Sequence, residues 1–279
     1  MKHLLWFELV KCFNPKRSAV SFLLVVGFVA VILLGLWLQD RAHGKRKVAD
    51  ATLSEYLNAP MCVLVAESPG LFLFLPILAA ILGASQVAGE WQGGTLRMMM
   101  IRPVSRSGLL LAKFASLGVY LLLLVAWLFG LTFLMGWAWF GKLGSLVVPN
   151  EILGLGGGFI ILPADVAIQR LLFSYLLATV SLWSLASLGL LFGIVFEQTA
   201  SAAMAALGVY FISHIISATG LFSELQRYLP THHWNWWNRI YASEIPWHDL
   251  LQHGLWIAVY TAACLGLSIG LFLRKDIHS

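Results

Sequence analysis

Six ionisable side chains lie in or beside apolar runs of the sequence, where they could do chemistry. They are His214, Glu197, His232, His233, His248 and His253. Charge is disfavoured in hydrocarbon, so ionisable groups at such positions are functional candidates. We interpret His214 and Glu197 as candidates for lining a path through the protein. The four later histidines are candidates for catalysis or metal binding.

The order of the residues limits this chemistry. H-E-x-x-H does not occur, so the sequence lacks this zinc-protease motif. The histidines fit no closed four-ligand zinc pattern, and the three cysteines form no C-x-x-C. We therefore predict neither a catalytic residue nor a metal site. His214 is expected to form hydrogen bonds inside a helical bundle, near Ser213 and Ser217.

Phosphate-binding motifs are also missing. No G-x-x-x-x-G-K-[ST] occurs, so the chain has no loop to hold the phosphates of ATP. The glycine-rich "GLGGGF" at Gly154 follows no predicted strand, which argues against dinucleotide binding. The chain is predicted not to be an enzyme on its own and to carry no cofactor.

The composition identifies a membrane protein, since 59% of the residues are hydrophobic and 11% are charged. Six apolar runs reach the roughly 20 residues that a helix needs to cross hydrocarbon. They are Ser18 to Leu38, Leu71 to Ala88, Leu109 to Phe140, Leu171 to Phe196, Thr199 to Thr219 and Leu250 to Leu273. No ten-residue alternation indicates a barrel, so we predict an all-α integral membrane protein.

Basic residues predict the orientation. If the N-terminus is cytosolic, ten of the 18 Lys and Arg fall in short cytosolic segments and eight in longer outside loops. "RAHGKRK" after the first span opposes this assignment. We expect both termini to be cytosolic, in the inner membrane of the cell, without a cleaved signal peptide. Anionic lipid accounts for the net charge of +5, so nucleic acid is not expected as a partner.

Residues 1–17 are predicted to form a helix that lies in the membrane interface. His3, Glu8 and Lys11 fall on one arc of this helix, with apolar residues opposite. Pro15 would stop it and let the chain turn into the membrane. The alternative is a first span that starts early. Residues 18–279 are predicted to form one transmembrane domain.

Aromatic residues crowd the loop before the sixth span. They are Trp234, Trp236, Trp237, Tyr241 and Trp247. Such residues are typical of the headgroup level of a membrane, and we expect them there. The alternative is a platform for a lipid or another ligand outside the membrane.

Pairs of glycines indicate where helices touch. Gly189 and Gly193 lie in the fourth span, and Gly266 and Gly270 lie in the sixth. Glycines four residues apart allow close backbone approach. The spacing does not distinguish contacts within one chain from contacts between two copies.

The segment "GEWQGGTLRMMMIRPVSRSGLLLAKF" separates the second span from the third. Gly93 and Gly94 are predicted to form a turn, and Thr95 to cap a short helix that Pro103 ends. Ser105 would cap the next helix. The methionines of the short helix give it an adaptable apolar surface, which suits a protein partner.

This segment resembles the signature of ABC-2 type transporter permeases. There an acidic residue, Gly-Thr, an apolar stretch, Pro-x-Ser-Arg and a Gly or Lys follow in order. Glu90, Gly94-Thr95, "PVSR" and Lys113 match that pattern, whereas Trp91 and the three consecutive methionines do not belong to it. The outline of an interfacial helix and six spans is similar over the whole chain.

The resemblance implies the permease subunit of an ABC transporter, a homodimer paired with a separate ATPase subunit that binds ATP and Mg²⁺. The loop would be the coupling helix that docks on the ATPase, and export is implied more than import. The residues to which this role carries over are Glu90, Gly93, Gly94, Thr95, Leu96, Arg97, Met99, Arg102, Pro103 and Arg106. The alternatives are an intramembrane enzyme, or a membrane protein with a binding or immunity role and no transport.

Overall fold

The structure is a computed structural model that describes residues 2–13, 15–43, 47–48, 51–52, 57–95, 105–141, 143–150, 158–219, 226 and 228–275. Helices dominate these ranges. They are α1 (Lys2–Cys12), α2 (Pro15–His43), α3 (Ala59–Pro69), α4 (Leu75–Ser85), α5 (Ala88–Gln92), α6 (Arg106–Phe140), α7 (Ala164–Phe196), α8 (Thr199–Thr219), α9 (Pro230–Trp234) and α10 (Trp247–Arg274).

Six helical segments in the described part are long and apolar enough to cross a membrane. They are Ser18–Gln39 of α2, Ala59–Ser85 of α3 and α4, all of α6, all of α7, Thr199–Ser217 of α8, and all of α10. The protein is therefore a multi-pass membrane protein built mainly of helices, as predicted.

Two short antiparallel hairpins depart from the purely helical prediction. Strand β1 (Lys47–Val48) pairs with β2 (Ala51–Thr52), and β3 (Leu146–Pro149) pairs with β4 (Phe159–Leu162). The second pair reads "LVVP" and "FIIL", which is rich in the β-branched residues that favour strands. Both hairpins lie in connections between spans.

The second span begins earlier than predicted. Its helix starts at Ala59 instead of Leu71, because Asn58 Oδ1 accepts a hydrogen bond from the Met61 N–H at 2.9 Å and caps it. The helix continues past Pro69 through a π-helical turn, Gly70–Phe74, into α4. Cys62, which precedes the predicted start of this span, is buried in α3.

The bundle has two ends, which we call the termini face and the distal face. The termini face carries α1, α5, the start of α6, the turn between α7 and α8, and the end of α10. The distal face carries the second hairpin, α9 and a 3₁₀ helix, Trp236–Tyr241. Helix α1 and the end of α10 thus lie on one side, as the six spans of the described part require.

The fourth span, α7, is the centre of the bundle. Its membrane segment is 61% buried, compared with 17% for α10. A Cβ placed on Gly189 would lie 2.6 Å from the Ala80 oxygen, and one on Gly193 would lie 2.8 Å from the Ala84 oxygen. These glycines therefore let α7 pack against α4 within one chain. Gly266 and Gly270 meet nothing within 4 Å in the described part.

Candidate functional site

Four charged side chains meet at the termini face, and we call them the Lys113 cluster: Glu8, Lys11, Glu90 and Lys113. Lys113 Nζ, on α6, donates to Glu8 Oε2 at 2.9 Å and also to Glu90 Oε1. Lys11 forms a second ion pair with Glu90. The cluster therefore joins α1 to both ends of the segment between the second and third spans.

The centre of the cluster is withdrawn from solvent. Glu8 is 0%, Lys113 1% and Glu90 5% exposed. Removing charges from water costs several kcal/mol per ion, which close pairing must offset. Glu8 Oε1 and Glu90 Oε2 are also buried without a hydrogen-bond partner among the described atoms, so the carboxylates depend heavily on their lysines.

This burial corrects the prediction for α1. Glu8 was expected on the polar arc of an interfacial helix, yet it faces the protein and pairs with Lys113. The outward surface of α1 is apolar, since Trp6, Phe7 and Val10 are 69%, 48% and 57% exposed. The helix does end before Pro15, where α2 begins. Of its polar arc, Glu8 and Lys11 therefore serve packing within the protein, whereas His3 is exposed.

The turn after Glu90 has the predicted geometry. Gly94 adopts a φ of +65°, a left-handed conformation that favours glycine. The Gly93 N–H donates to the Gly89 oxygen at 3.1 Å, and the Thr95 hydroxyl donates to the Glu90 carbonyl at 3.4 Å. The chain is thus folded back directly beside the Lys113 cluster.

Five predicted coupling residues lie outside the described residues. They are Leu96, Arg97, Met99, Arg102 and Pro103. The chain is described again from Ser105, whose Oγ accepts from the Gly108 N–H at 3.3 Å and caps α6 as predicted. Arg106 Nη1 then donates to the carbonyls of Leu273 and Lys275, each at 3.3 Å. The far end of the loop is therefore tied to the end of the sixth span.

Glu197 lies in the turn between α7 and α8, as predicted, and belongs to the termini face. It has a φ of +56°, which is uncommon for a residue other than glycine. Its carboxylate pairs with Lys275 Nζ at 2.6 Å, and the same Nζ donates to the Ile194 oxygen at 2.6 Å. Lys275 also lies 4.5 Å above the Trp91 ring. Glu197 therefore anchors the end of α10.

His214 lies in α8 between two aromatic rings. Its ring centroid is 4.5 Å from that of Phe72 and 4.6 Å from that of Tyr210. His214 was expected to form hydrogen bonds in the bundle near Ser213 and Ser217, but these two serines bond to Thr231. His214 Nε2 is buried with no partner among the described atoms. Fifteen helical positions separate it from Thr199, where α8 begins beside Glu197, which is about 22 Å, so the two do not share a site.

A third buried acid, after Glu8 and Glu90, was missed by the sequence reasoning. Glu67, in α3, is 2% exposed and accepts hydrogen bonds from Ser174 of α7 and from Tyr241 of the 3₁₀ helix. Neighbouring Tyr175 donates to the Val63 oxygen at 3.1 Å. Glu67 was not predicted as a buried residue because it belongs to "ESPG", a sequence that favours a loop. The apolar stretch "APMCVLVA" before it could have indicated that the helix starts earlier.

Tyr241→Phe is expected to lower the free energy of unfolding by about 1–3 kcal/mol, because it leaves a buried Glu67 oxygen without its hydroxyl donor. Tyr260→Phe is the matched control, since the Tyr260 hydroxyl donates to the Tyr228 oxygen at 2.8 Å in an exposed position. Equal losses for the two variants, measured by denaturant titration in detergent micelles, would contradict the assigned role of Tyr241.

The aromatic residues before the sixth span mostly form core instead of a headgroup belt. Trp234, Trp236, Trp237 and Tyr241 are 9% exposed or less, and only Trp247, at 57%, matches the expectation. The Trp236 indole donates to Ser181 Oγ, whose hydroxyl donates to the Trp234 oxygen, each at 3.0 Å. A polar partner on α7 therefore satisfies the buried Trp236 indole, whereas Trp234 Nε1 is buried with no hydrogen-bond partner among the described atoms.

Three of the predicted histidines meet in a pocket on the distal face. The pocket has a volume of about 490 Å³ and is lined by Tyr228, His232, His233, Arg239, Asp249, Gln252, His253 and Trp256. His233 Nδ1 lies 2.7 Å from His253 Nδ1, whereas His248 is almost fully exposed. No group of three or more metal-ligating residues is assembled in the part of the chain that the structure describes.

The sequence reasoning did not predict the ion pair in this pocket. Arg239 Nη1 donates to Asp249 Oδ2 at 2.7 Å. Burial, and then the positive charge of Arg239, lower the pKa of His232. The helical spacing of Asp249, Gln252, His253 and Trp256 could have revealed one lining wall, because these positions share a face of α10.

The fold and these sites define a multi-pass α-helical membrane protein with a buried charge cluster at one face and a histidine-lined pocket at the other. The chain belongs to the family described as "Protein of unknown function (DUF2705)", whose model matches residues 27–278. It is also similar to "Uncharacterized protein YhcI" of Bacillus subtilis (strain 168). The two are 23% identical over 228 residues, which cover 76% of this chain and 68% of that protein.

Proposed function

We propose that this protein is the permease subunit of an ABC-2 type transporter, which couples to a separate ATPase subunit through the loop between α5 and α6. The observation that carries the proposal is that both ends of this loop are anchored. Glu90, before the loop, is held by Lys113 and Lys11, and Arg106, after it, binds the end of α10. A force applied to residues 96–104 would reach several spans at once.

The mechanism follows from these anchors. ATP-driven closure of two ATPase subunits would press on the loop, and the Lys113 cluster would pass the movement to α1, the second span and α6. Binding shifts an equilibrium between two conformations only if the partner contacts them differently. An anchored loop meets that requirement better than a free one, because its position depends on the arrangement of the spans.

The other features of the proposed transporter are taken from the resemblance to ABC-2 type permeases. The subunit would work as a homodimer in the inner membrane, with both termini cytosolic and export as the direction. ATP and Mg²⁺ would be bound by the partner. The alternative hypothesis, an intramembrane enzyme, included His214 and Glu197 as candidates. These two residues lie too far apart to act on the same bond of a substrate.

The test is co-purification from the membranes of the natural host, with mass spectrometry of the bound proteins. We expect the intact chain to retain a soluble ATPase that carries a phosphate-binding loop. Replacing residues 96–102 by a Gly-Ser linker of equal length should abolish this retention, because the docking surface is gone while the anchors Glu90 and Arg106 remain.

Residues 151–157 provide the matched control, since this stretch of sequence has the same length as residues 96–102 and lies between β3 and β4, two strands of the distal face. The same linker there should leave ATPase retention unchanged. Loss of retention in both variants, or recovery of no ATPase with the intact chain, would overturn the proposal. Substitution of Glu90 itself is a poor test, because this buried residue also stabilises the fold.

A further inference from the structure

The pocket on the distal face is lined from two sides by polar groups. Asp249, Gln252, His253 and Trp256 of α10 occupy positions i, i+3, i+4 and i+7 and form one wall. Tyr228, His232, His233 and Arg239 form the opposite wall. A volume of about 490 Å³ falls within the roughly 300–1,000 Å³ that is usual for pockets that hold small molecules.

Arg239 provides a partly exposed cation in this pocket. Its side chain is 40% exposed, and the ion pair with Asp249 uses Nη1. A guanidinium has five N–H donors in a planar fork, so further donors are available for an oxyanion. An anion could therefore bind Arg239 without breaking the pair.

The two facing imidazoles add a proton-dependent charge. His233 Nδ1 and His253 Nδ1 are 2.7 Å apart, so one nitrogen must donate and the other must accept. Such a pair accommodates one added proton but not two, because two facing N–H groups would repel. Together with His232, the pair makes the pocket more positive as the pH falls.

The position of the pocket favours an amphiphile over a fully hydrated ion. It lies along the first three turns of α10, the least buried of the spans. Leu251 and Leu255, on the neighbouring face of the same turns, are each 68% exposed, and Trp247 is 57% exposed. Tryptophan at the start of a span is typical of the headgroup level. The charged wall therefore borders a surface that suits acyl chains.

We propose that this pocket binds a phosphate group, carried by an anionic membrane lipid or free in solution, through Arg239 and the histidines. The Trp256 and Tyr228 rings, whose centroids are 6.2 Å apart, would contact the apolar part of a lipid. The inference does not depend on transport or on an ATPase partner. It assigns a ligand to a site that lies on the opposite face from the Lys113 cluster.

The experiment is native mass spectrometry of the full chain, released from nanodiscs that contain phosphatidylglycerol and phosphatidylcholine with identical acyl chains. We expect selective retention of phosphatidylglycerol.

Arg239→Gln should lower this retention at least about ten-fold, the effect of losing one charge-assisted hydrogen bond. Asp249→Asn should raise retention, because it removes a negative charge and releases the guanidinium. Arg274→Gln, on an exposed residue at the termini face, is the control and should change nothing.

Opposite effects of the two pocket variants would support the site, since a purely structural ion pair predicts equal losses for both. If Arg239→Gln fails to fold, the Asp249→Asn variant still tests the proposal. Unchanged or reduced retention of phosphatidylglycerol by Asp249→Asn would overturn it. Inorganic phosphate, added in excess, separates the two sources. Displacement of the lipid by phosphate supports a general phosphate site, and lipid retention despite phosphate supports a lipid site. No preference for phosphatidylglycerol, together with no phosphate binding, would overturn it.

Discussion

Lys113→Met is expected to lower the free energy of unfolding by about 3–5 kcal/mol, because it leaves two buried carboxylates without their shared cation. Glu8 and Glu90 are 0% and 5% exposed, and each already has one oxygen without a partner among the described atoms. Lys11 reaches only Glu90, so it cannot replace Lys113 at Glu8. The change would be measured by titration with denaturing detergent, followed by circular dichroism.

A triple variant separates lost charge from lost packing. Glu8→Gln and Glu90→Gln, combined with Lys113→Met, remove the buried charges together, so most of the lost stability should return. Methionine fills a volume similar to that of the apolar part of the lysine side chain, so the packing at this position stays nearly constant in both variants. If Lys113→Met alone is as stable as the natural chain, the cluster does not hold α1 against α6 in the way described.

Gly189→Leu is expected to destabilise the bundle by more than about 3 kcal/mol, the upper end of ordinary overpacking. A Cβ at this position would lie 2.6 Å from the Ala80 oxygen and 3.0 Å from the Ala84 nitrogen. These are backbone atoms of α4, which cannot move aside as a side chain can. The two helices would have to separate along the most buried span.

Gly266→Leu is the matched control, since it introduces the same side chain at a helical glycine with nothing within 4 Å in the described part. It should change the free energy of unfolding by less than about 0.5 kcal/mol. Both variants would be compared in the same micelles. A large effect at Gly266 together with a small one at Gly189 would contradict the packing of α7 on α4.

The long spans could be predicted from the sequence because their signal is the length of an apolar run, which does not depend on tertiary contacts. The third, fifth and sixth predicted spans agree with α6, α8 and α10 to within three residues at each end. The second predicted span starts too late, at Leu71, because Ser68, Pro69 and Gly70 favour a turn when they are considered in isolation. In the structure, helix packing and a π-helical turn carry the chain through them.

The sites could be predicted only in part, because burial depends on which helices meet. Glu8 and Lys113 are 105 residues apart, and no local pattern indicates that they pair. The turn at Gly94 and the cap at Ser105 were predictable, since both depend on neighbouring residues. The histidine pocket needed the three-dimensional arrangement of α9 and α10.

The anchor between Arg106 and the end of α10 has a consequence for biosynthesis. Arg106 binds the carbonyl of Lys275, 169 residues later in the chain. The ribosome therefore adds four more spans after the loop before its second anchor exists. Until then the loop is held at Glu90 alone, so the surface it presents in the finished protein is completed only late in synthesis. A nascent or truncated chain would thus differ from the mature protein at the face where we propose that the partner docks.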